Sequence, residues 1–166
     1  GLNRVEADEL SYGLHILIRM DLEIALLEEG LEVEALPWEW NRRYTELLGI
    51  TPDHDGEGCL QDVHWSEGLF GYFPSYLLGH LISAQLSDAM RLDLKNQGVD
   101  GIDPIGTLIA EGEESTLLAW LRRKVHPYGR LVNAEELVEK VCGEKLSSFP
   151  FLRYLKSKLE QLEGCS

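Results

Sequence analysis

Glycine and proline divide this sequence into helix-length segments, and their spacing constrains the fold more than any other feature. A proline in the first turn and a glycine just after the last turn are typical helix boundaries. These boundaries predict helices over Val5–Glu29, Trp38–Leu48, Tyr72–Asn96, a short segment from Asp103, Glu113–Val125, Asn133–Cys142 and Pro150–Leu162. Val, Ile and Thr do not alternate over strand length. The sequence therefore predicts an all-α fold.

Composition narrows the class of protein. The 166 residues suit one domain or part of one, with 44% hydrophobic residues and a net charge of −14. This charge argues against a nucleic-acid partner, because phosphate contacts need clustered Lys and Arg. The sequence has no apolar run near the roughly 18 residues of a membrane span, and its first residues have no signal-peptide core. Three cysteines at unrelated spacings indicate no disulfide framework, so we expect a cytoplasmic protein (Cys59, Cys142, Cys165).

Five polar residues recur along the first predicted helix at intervals of three and four. They would share one face: Arg4, Asp8, Ser11, His15 and Arg19. One interpretation is a solvated stripe with pairing between successive turns. The alternative is the wall of a polar groove, because the other faces of the helix are apolar enough to be buried. A buried row of this kind needs partners or ligands.

The segment Gly58–Tyr76 concentrates polar and aromatic residues between two helices. Loops on a rigid scaffold often carry function. His64 is the candidate for acid-base chemistry or oxyanion stabilisation, and Tyr72 and Tyr76 lie one helical turn apart. The alternative is a packed histidine among aromatic rings.

The residue spacing gives less support to calcium binding, zinc binding or cysteine catalysis. Residues 53–64 resemble a calcium loop at its first positions, but position twelve is His64 where a bidentate Glu is required. The sequence has no HExxH and no other local set of zinc ligands, so it predicts no metal site of its own. Cys59 lies five residues before His64, which does not make the two a catalytic dyad.

Two motifs resemble signatures of the Taq-type metallocarboxypeptidases. Arg4-Val-Glu-Ala-Asp8 matches IRxxAD from its arginine onward, with Asn3 in place of the leading Ile. Residues 58–65, GCLQDVHW, match GxxQDxHW at every specified position. Segments such as FGYFPSYLLGHL and WLRRKVHPYG also read like this family, so the resemblance covers essentially the whole chain, residues 1–166.

The resemblance implies that this chain is the C-terminal helical portion of a catalytic domain with a neurolysin-like zinc peptidase fold. Family members bind zinc through HExxH and a later Glu, both upstream of IRxxAD, and neither occurs here. The implied reaction of a complete member is zinc-assisted hydrolysis of the C-terminal bond of a peptide substrate. This chain would supply the opposite wall, would bind no zinc and would be inactive alone. The family also suggests a homodimer.

The resemblance also implies roles for individual residues. His64 would contact the transition state, with Tyr72 or Tyr76 as the phenolic donor. Arg4 would bind the substrate carboxylate through its guanidinium fork, or form a structural pair with Asp8. The remaining predicted substrate-side residues are orienting partners: Asp8, which would orient Arg4, and Gln61 and Asp62, which would hold His64 in one tautomer.

Two other hypotheses remain at this point. One is a non-catalytic helical interaction or scaffold domain that has lost its metal-binding half. The other is an independent hydrolase that uses Cys59 and His64.

Overall fold

The computed structural model describes residues 1–164. Its regular elements within that range are all helical, which confirms the all-α prediction. The seven α-helices are α1 (Glu9–Leu27), α2 (Leu36–Leu48), α3 (Pro74–Asn96), α4 (Pro104–Ala110), α5 (Glu114–Lys124), α6 (Ala134–Cys142) and α7 (Phe149–Glu163). Short 3-10 turns occupy Arg4–Glu6, Val33–Ala35 and His126–Tyr128. None of these helices is both long enough and apolar enough to cross a bilayer.

Local signals explain most of the helix boundaries. Pro37 lies in the first turn of α2, and Gly49 ends that helix in the left-handed region at φ 69°. Asn133 caps α6 through a reciprocal capping box with Glu136. These boundaries agree with the predicted ones because they depend on residues only a few positions apart.

The start of the first helix differs from the prediction. α1 begins at Glu9, not at Val5, because the Asp8 side chain accepts hydrogen bonds from the backbone N–H groups of Leu10 and Ser11. Arg4 lies outside α1, in the 3-10 turn that precedes it. The predicted spacing from Arg4 to Asp8 along one helix face is therefore wrong, although His15 and Arg19 do lie on α1.

The chain divides into two compact units, the first comprising Gly1–Leu78 and the second beginning at Gly79. The core of the first unit joins α1, α2 and the loop that follows them. It consists of Ile18, Leu22, Leu36, Trp40, Tyr44 and Cys59. Trp40 stacks on Tyr44 with ring centroids 4.9 Å apart. Since Cys59 belongs to this core, the start of the Gly58–Tyr76 segment is fixed against both helices.

The second unit has its own core around α3, α4 and α5. It is built on Met90, Leu94, Leu108 and Trp120. The Trp120 indole donates to Asp93 at 2.8 Å, so this buried ring also satisfies its polar atom. The buried Gln85 side chain donates to the carbonyl of Lys145 and accepts from the N–H of Ser147, which attaches the segment after α6 to α3.

Candidate functional site

A carboxylate of the first unit is held by two arginines. Arg4 donates to Asp62 Oδ1 from Nη2 at 2.8 Å and from Nε at 3.1 Å. Arg19 donates from Nε to Asp62 Oδ2 at 2.6 Å. Both oxygens of one carboxylate are therefore engaged by charge-assisted hydrogen bonds. The guanidinium of Arg4 also lies over the rings of Phe73 and Tyr76, 5.7 and 5.0 Å from their centroids.

Arg19 is completely buried and uses the rest of its guanidinium within the same network. Nη1 donates to the carbonyl of His15 at 2.7 Å, and Nη2 donates to Gln61 Oε1 at 2.8 Å. The guanidinium also lies 4.7 Å from the ring centroid of Trp40. A buried cation of this kind is stable only when it is paired and hydrogen-bonded, and here Asp62 provides the charge.

The arginines determine the ionisation of Asp62. Burial by itself would raise the pKa of this carboxyl, but the nearby Arg19 and Arg4 outweigh burial and hold the pKa below its ordinary value. Gln61 completes the network, because its Oε1 also accepts the backbone N–H of Arg4 at 3.0 Å. The predicted residues Arg4, Gln61 and Asp62 are thus brought together.

His64 lies beside this network in a pocket of aromatic rings. Its Nε2 is 3.1 Å from the Tyr76 hydroxyl, and its Nδ1 is 3.9 Å from Asp62 Oδ1. The Phe73 ring packs against the imidazole with centroids 4.4 Å apart. Nδ1 has no hydrogen-bonding partner among the described residues. The imidazole is buried, so both its orientation and its access are restricted.

The two candidate tyrosines differ in their relation to His64. Tyr76 makes the hydrogen bond to the imidazole, whereas the Tyr72 ring lies 5.7 Å away by centroids and is exposed. The geometry therefore favours Tyr76 as the partner of His64. The sequence spacing could not separate the two, because it predicted both on one helix, one turn apart. That prediction is wrong for Tyr72: α3 begins at Pro74, so Tyr72 lies in the segment before the helix and only Tyr76 lies on it.

Asp8 lies apart from the cluster that it was predicted to join. It is exposed, and its side chain is occupied by the backbone of Leu10 and by the backbone and hydroxyl of Ser11. The hydrogen bonds from Ser11 hold the pKa of Asp8 below its ordinary value. Arg4 pairs with Asp62, so the alternative of a structural Arg4–Asp8 pair is also wrong.

The last two residues of the predicted polar helix face, His15 and Arg19, form a buried wall. His15 and Arg19 have no exposed surface, which rules out a solvated stripe at these positions. His15 Nδ1 lies 3.0 Å from the Tyr44 hydroxyl. Burial first, and then the positive charge of Arg19, lower the pKa of His15 to about 4. His15 is therefore neutral at pH 7.

Two residues of this wall were not among the predicted site residues. Tyr44 on α2 accepts from Arg19 Nη1 at 3.3 Å, and burial raises its pKa. Glu23 follows Arg19 by one turn of α1 and accepts from the Trp65 indole at 2.8 Å and from the backbone N–H of Gly71 at 3.0 Å. The four-residue spacing after Arg19 was the signal that could have indicated Glu23.

The described residues do not provide a metal site. Within residues 1–164, no three His, Cys, Asp or Glu side chains are arranged to hold a metal ion. Asp53, Asp55 and Glu57 of the calcium-like segment are exposed. Cys59 is buried in the core, and burial together with Asp55 raises the pKa of its thiol, which disfavours the nucleophilic thiolate.

Comparisons with known proteins agree with this architecture. Thermostable carboxypeptidase 1 of Thermus thermophilus is 43% identical over 163 residues, which are 98% of this chain and 30% of that protein. Carboxypeptidase 1 of Bacillus subtilis is 43% identical over 159 residues, 96% of this chain and 30% of that protein. The crystal structure of an M32 carboxypeptidase from Deinococcus radiodurans matches with a TM-score of 0.88 at 36% identity, covering 99% of this chain and 32% of its own.

The chain spans about 30% of the length of the curated relatives that it matches. Residues 1–159 match the family described as carboxypeptidase Taq (M32) metallopeptidase. With this match over nearly all of its length, the chain belongs to the carboxypeptidase Taq (M32) metallopeptidase family.

Proposed function

We propose that this chain is the C-terminal portion, residues 1–166, of a zinc metallocarboxypeptidase that removes C-terminal residues from peptides. The observation that carries the proposal is the His64–Tyr76 pair beside the Arg4–Asp62–Arg19 network. In this proposal the zinc ligands lie in a part of the complete protein outside this chain, and within residues 1–164 no three His, Cys, Asp or Glu side chains are arranged to hold a metal ion. In this proposal the chain supplies the substrate side of the cleft and is inactive alone.

His64 and Tyr76 are proposed as the groups that stabilise the tetrahedral oxyanion. His64 Nε2 and the Tyr76 oxygen are 3.1 Å apart, so one substrate oxygen can approach both groups at hydrogen-bonding distance. Phe73 packs against the imidazole and limits its rotation, which reduces the reorganisation needed when charge develops.

Arg4 is proposed as the contact for the substrate's terminal carboxylate. Its Nε and Nη2 are used by Asp62, while Nη1 makes a longer contact of 3.4 Å with the Tyr12 hydroxyl. Nη1 is therefore the atom that would turn to the substrate. Gln61 and Asp62 would then position Arg4 and His64 rather than contact the peptide.

Two further properties belong to the same proposal. Free thiols at Cys59 and Cys142 fit a reducing compartment such as the cytoplasm. A homodimer follows from the family resemblance, and light scattering of the complete protein would measure it.

The proposal is tested in the complete protein with single substitutions. His64→Ala and Tyr76→Phe should each lower kcat by about a hundredfold to a thousandfold, as expected for a lost oxyanion donor, with little change in KM. Tyr72→Phe is the matched control and should leave kcat nearly unchanged, since Tyr72 makes no hydrogen bond to His64 in the described structure. A kcat within about threefold of the parent for His64→Ala would show that the loop is only structural.

A further inference from the structure

Glu23 is a buried carboxylate for which the proposed reaction has no use. Its side chain is 4% exposed, yet no Lys, Arg or His among the described residues forms a salt bridge with it. Instead, each oxygen accepts one N–H group. Oε1 accepts the indole of Trp65 at 2.8 Å, and Oε2 accepts the backbone N–H of Gly71 at 3.0 Å.

One donor lies within the turn that begins at His64, and the other follows that turn. Trp65 is the residue after His64, and Gly71 precedes Phe73, which packs on the imidazole, by two positions. The turn is closed by a hydrogen bond from the N–H of Leu69 to the carbonyl of His64 at 2.8 Å. One carboxylate thus ties together the chain segments that carry the imidazole and the ring against it.

Arg19 holds the other side of His64 from the same helix. It binds Asp62, two residues before His64, and it lies one turn before Glu23 on α1. The two side chains therefore attach the loop at points that flank the histidine. Because α1 is a rigid helix, the two attachments together fix the position of His64 relative to that helix.

We propose that Glu23 is a positioning residue for His64, acting through Trp65 and Gly71 to hold the imidazole at its place beside Tyr76. This inference rests on the proposed role of His64. The positioning role requires a carboxylate at position 23. Both donors need an acceptor, and the two oxygens of Glu23 supply one each. A glutamine keeps the shape but presents an NH₂ group to one of the two donors.

Hydrogen exchange measures the attachment without reference to catalysis. In the complete protein, Glu23→Gln should accelerate exchange at least tenfold in a peptide that spans Leu69–Tyr72, since the Gly71 N–H loses an acceptor or competes for the remaining one. Glu28→Gln is the matched control, because Glu28 is exposed at the end of the same helix. Unchanged exchange in the Glu23 variant would overturn the proposal.

Kinetics separate positioning from general stability. Glu23→Gln should lower kcat by about tenfold to a hundredfold at a temperature where the variant is fully folded, with KM within about threefold, because a small misplacement of a catalytic group is costly. A purely structural role would lower the melting temperature and leave kcat of the folded protein within about threefold, which would overturn the proposal. If Glu23→Gln does not fold, Trp65→Phe removes one donor while the carboxylate keeps Gly71, and the same fall in kcat is expected.

A double substitution identifies the group through which Glu23 acts. The double variant Glu23→Gln, His64→Ala should have the same kcat as His64→Ala alone. If the two single losses in kcat multiply in the double variant, Glu23 does not act through His64. If His64→Ala itself is silent, the proposed function fails and the positioning role fails with it. If His64→Ala costs a hundredfold and Glu23→Gln costs nothing, only the role given to Glu23 is wrong.

Discussion

Removing the charge of Asp62 should destabilise the first unit strongly. Asp62→Asn leaves the completely buried Arg19 and the nearly buried Arg4 without the carboxylate that both of them bind. The cost of leaving a buried charge without its partner is about 3–5 kcal/mol, against about 5–15 kcal/mol for the whole stability of a typical domain. The asparagine also presents an NH₂ group to one of the two guanidinium donors. We therefore expect a loss of about 3–5 kcal/mol in the free energy of unfolding at pH 7.

Urea unfolding of this chain would measure the loss. The indole NMR signals of Trp65 and Trp120 report the first and second units separately, because each ring lies in a different unit. Asp21→Asn is the matched control, since Asp21 is about half exposed and lies 3.4 Å from Arg43; it should cost less than about 1 kcal/mol. A loss below about 1 kcal/mol for Asp62→Asn would refute the view that the Asp62 network is a buried, mutually dependent cluster.

The stability difference between the parent and Asp62→Asn depends on pH in one direction. The pKa of Asp62 is lowered in the folded state from its ordinary value of 3.8. Its contribution to stability is therefore fully present above about pH 4 and is lost as the pH falls through the lowered value. The difference between the parent and Asp62→Asn should shrink only in strong acid.

Two further perturbations test other parts of the structure. His15 has a pKa lowered from 6.5 to about 4, so its contribution to stability is complete above pH 6.5 and is lost as the pH falls towards 4. Between pH 7.5 and pH 5 the free energy of unfolding of the parent, measured with urea, should fall by about 2 kcal/mol more than that of His15→Asn. An equal fall in the two proteins would contradict a neutral buried His15. Asn133→Ala removes the capping box of α6 and should destabilise the second unit by about 1 kcal/mol, read from the Trp120 signal during unfolding. No change in that signal's midpoint would show that the cap contributes nothing.

The helical fold was predictable from the sequence because its signals are local. Pro37, Gly49 and Asn133 act on the turn in which they occur, so their effect can be read without knowing what packs around them. The same local chemistry explains the boundary that shifted most, the start of α1. The Asp8 cap is also a signal within three residues, but the continuous apolar and acidic run around it concealed the break.

The candidate site was only partly predictable. The motif resemblance led to Arg4, Gln61, Asp62 and His64, which the fold brings together. It also led to Asp8, which the fold uses as a helix cap, and it left Tyr72 and Tyr76 equivalent. Spacing along a helix shows which residues share a face, but not what lies opposite that face.

The partners across the first unit are decided by tertiary structure alone. Glu23 meets Trp65 from 42 positions away, and Arg4 meets Asp62 from 58 positions away. Local helix signals extend over about four residues and hold no information about such distant pairs. The sequence by itself thus determined that the chain is helical and where most of the helices lie. Only the packing of α1 and α2 around the Gly58–Tyr76 segment decided which polar side chains are buried together, because a buried charge must find its partner in space rather than along the chain.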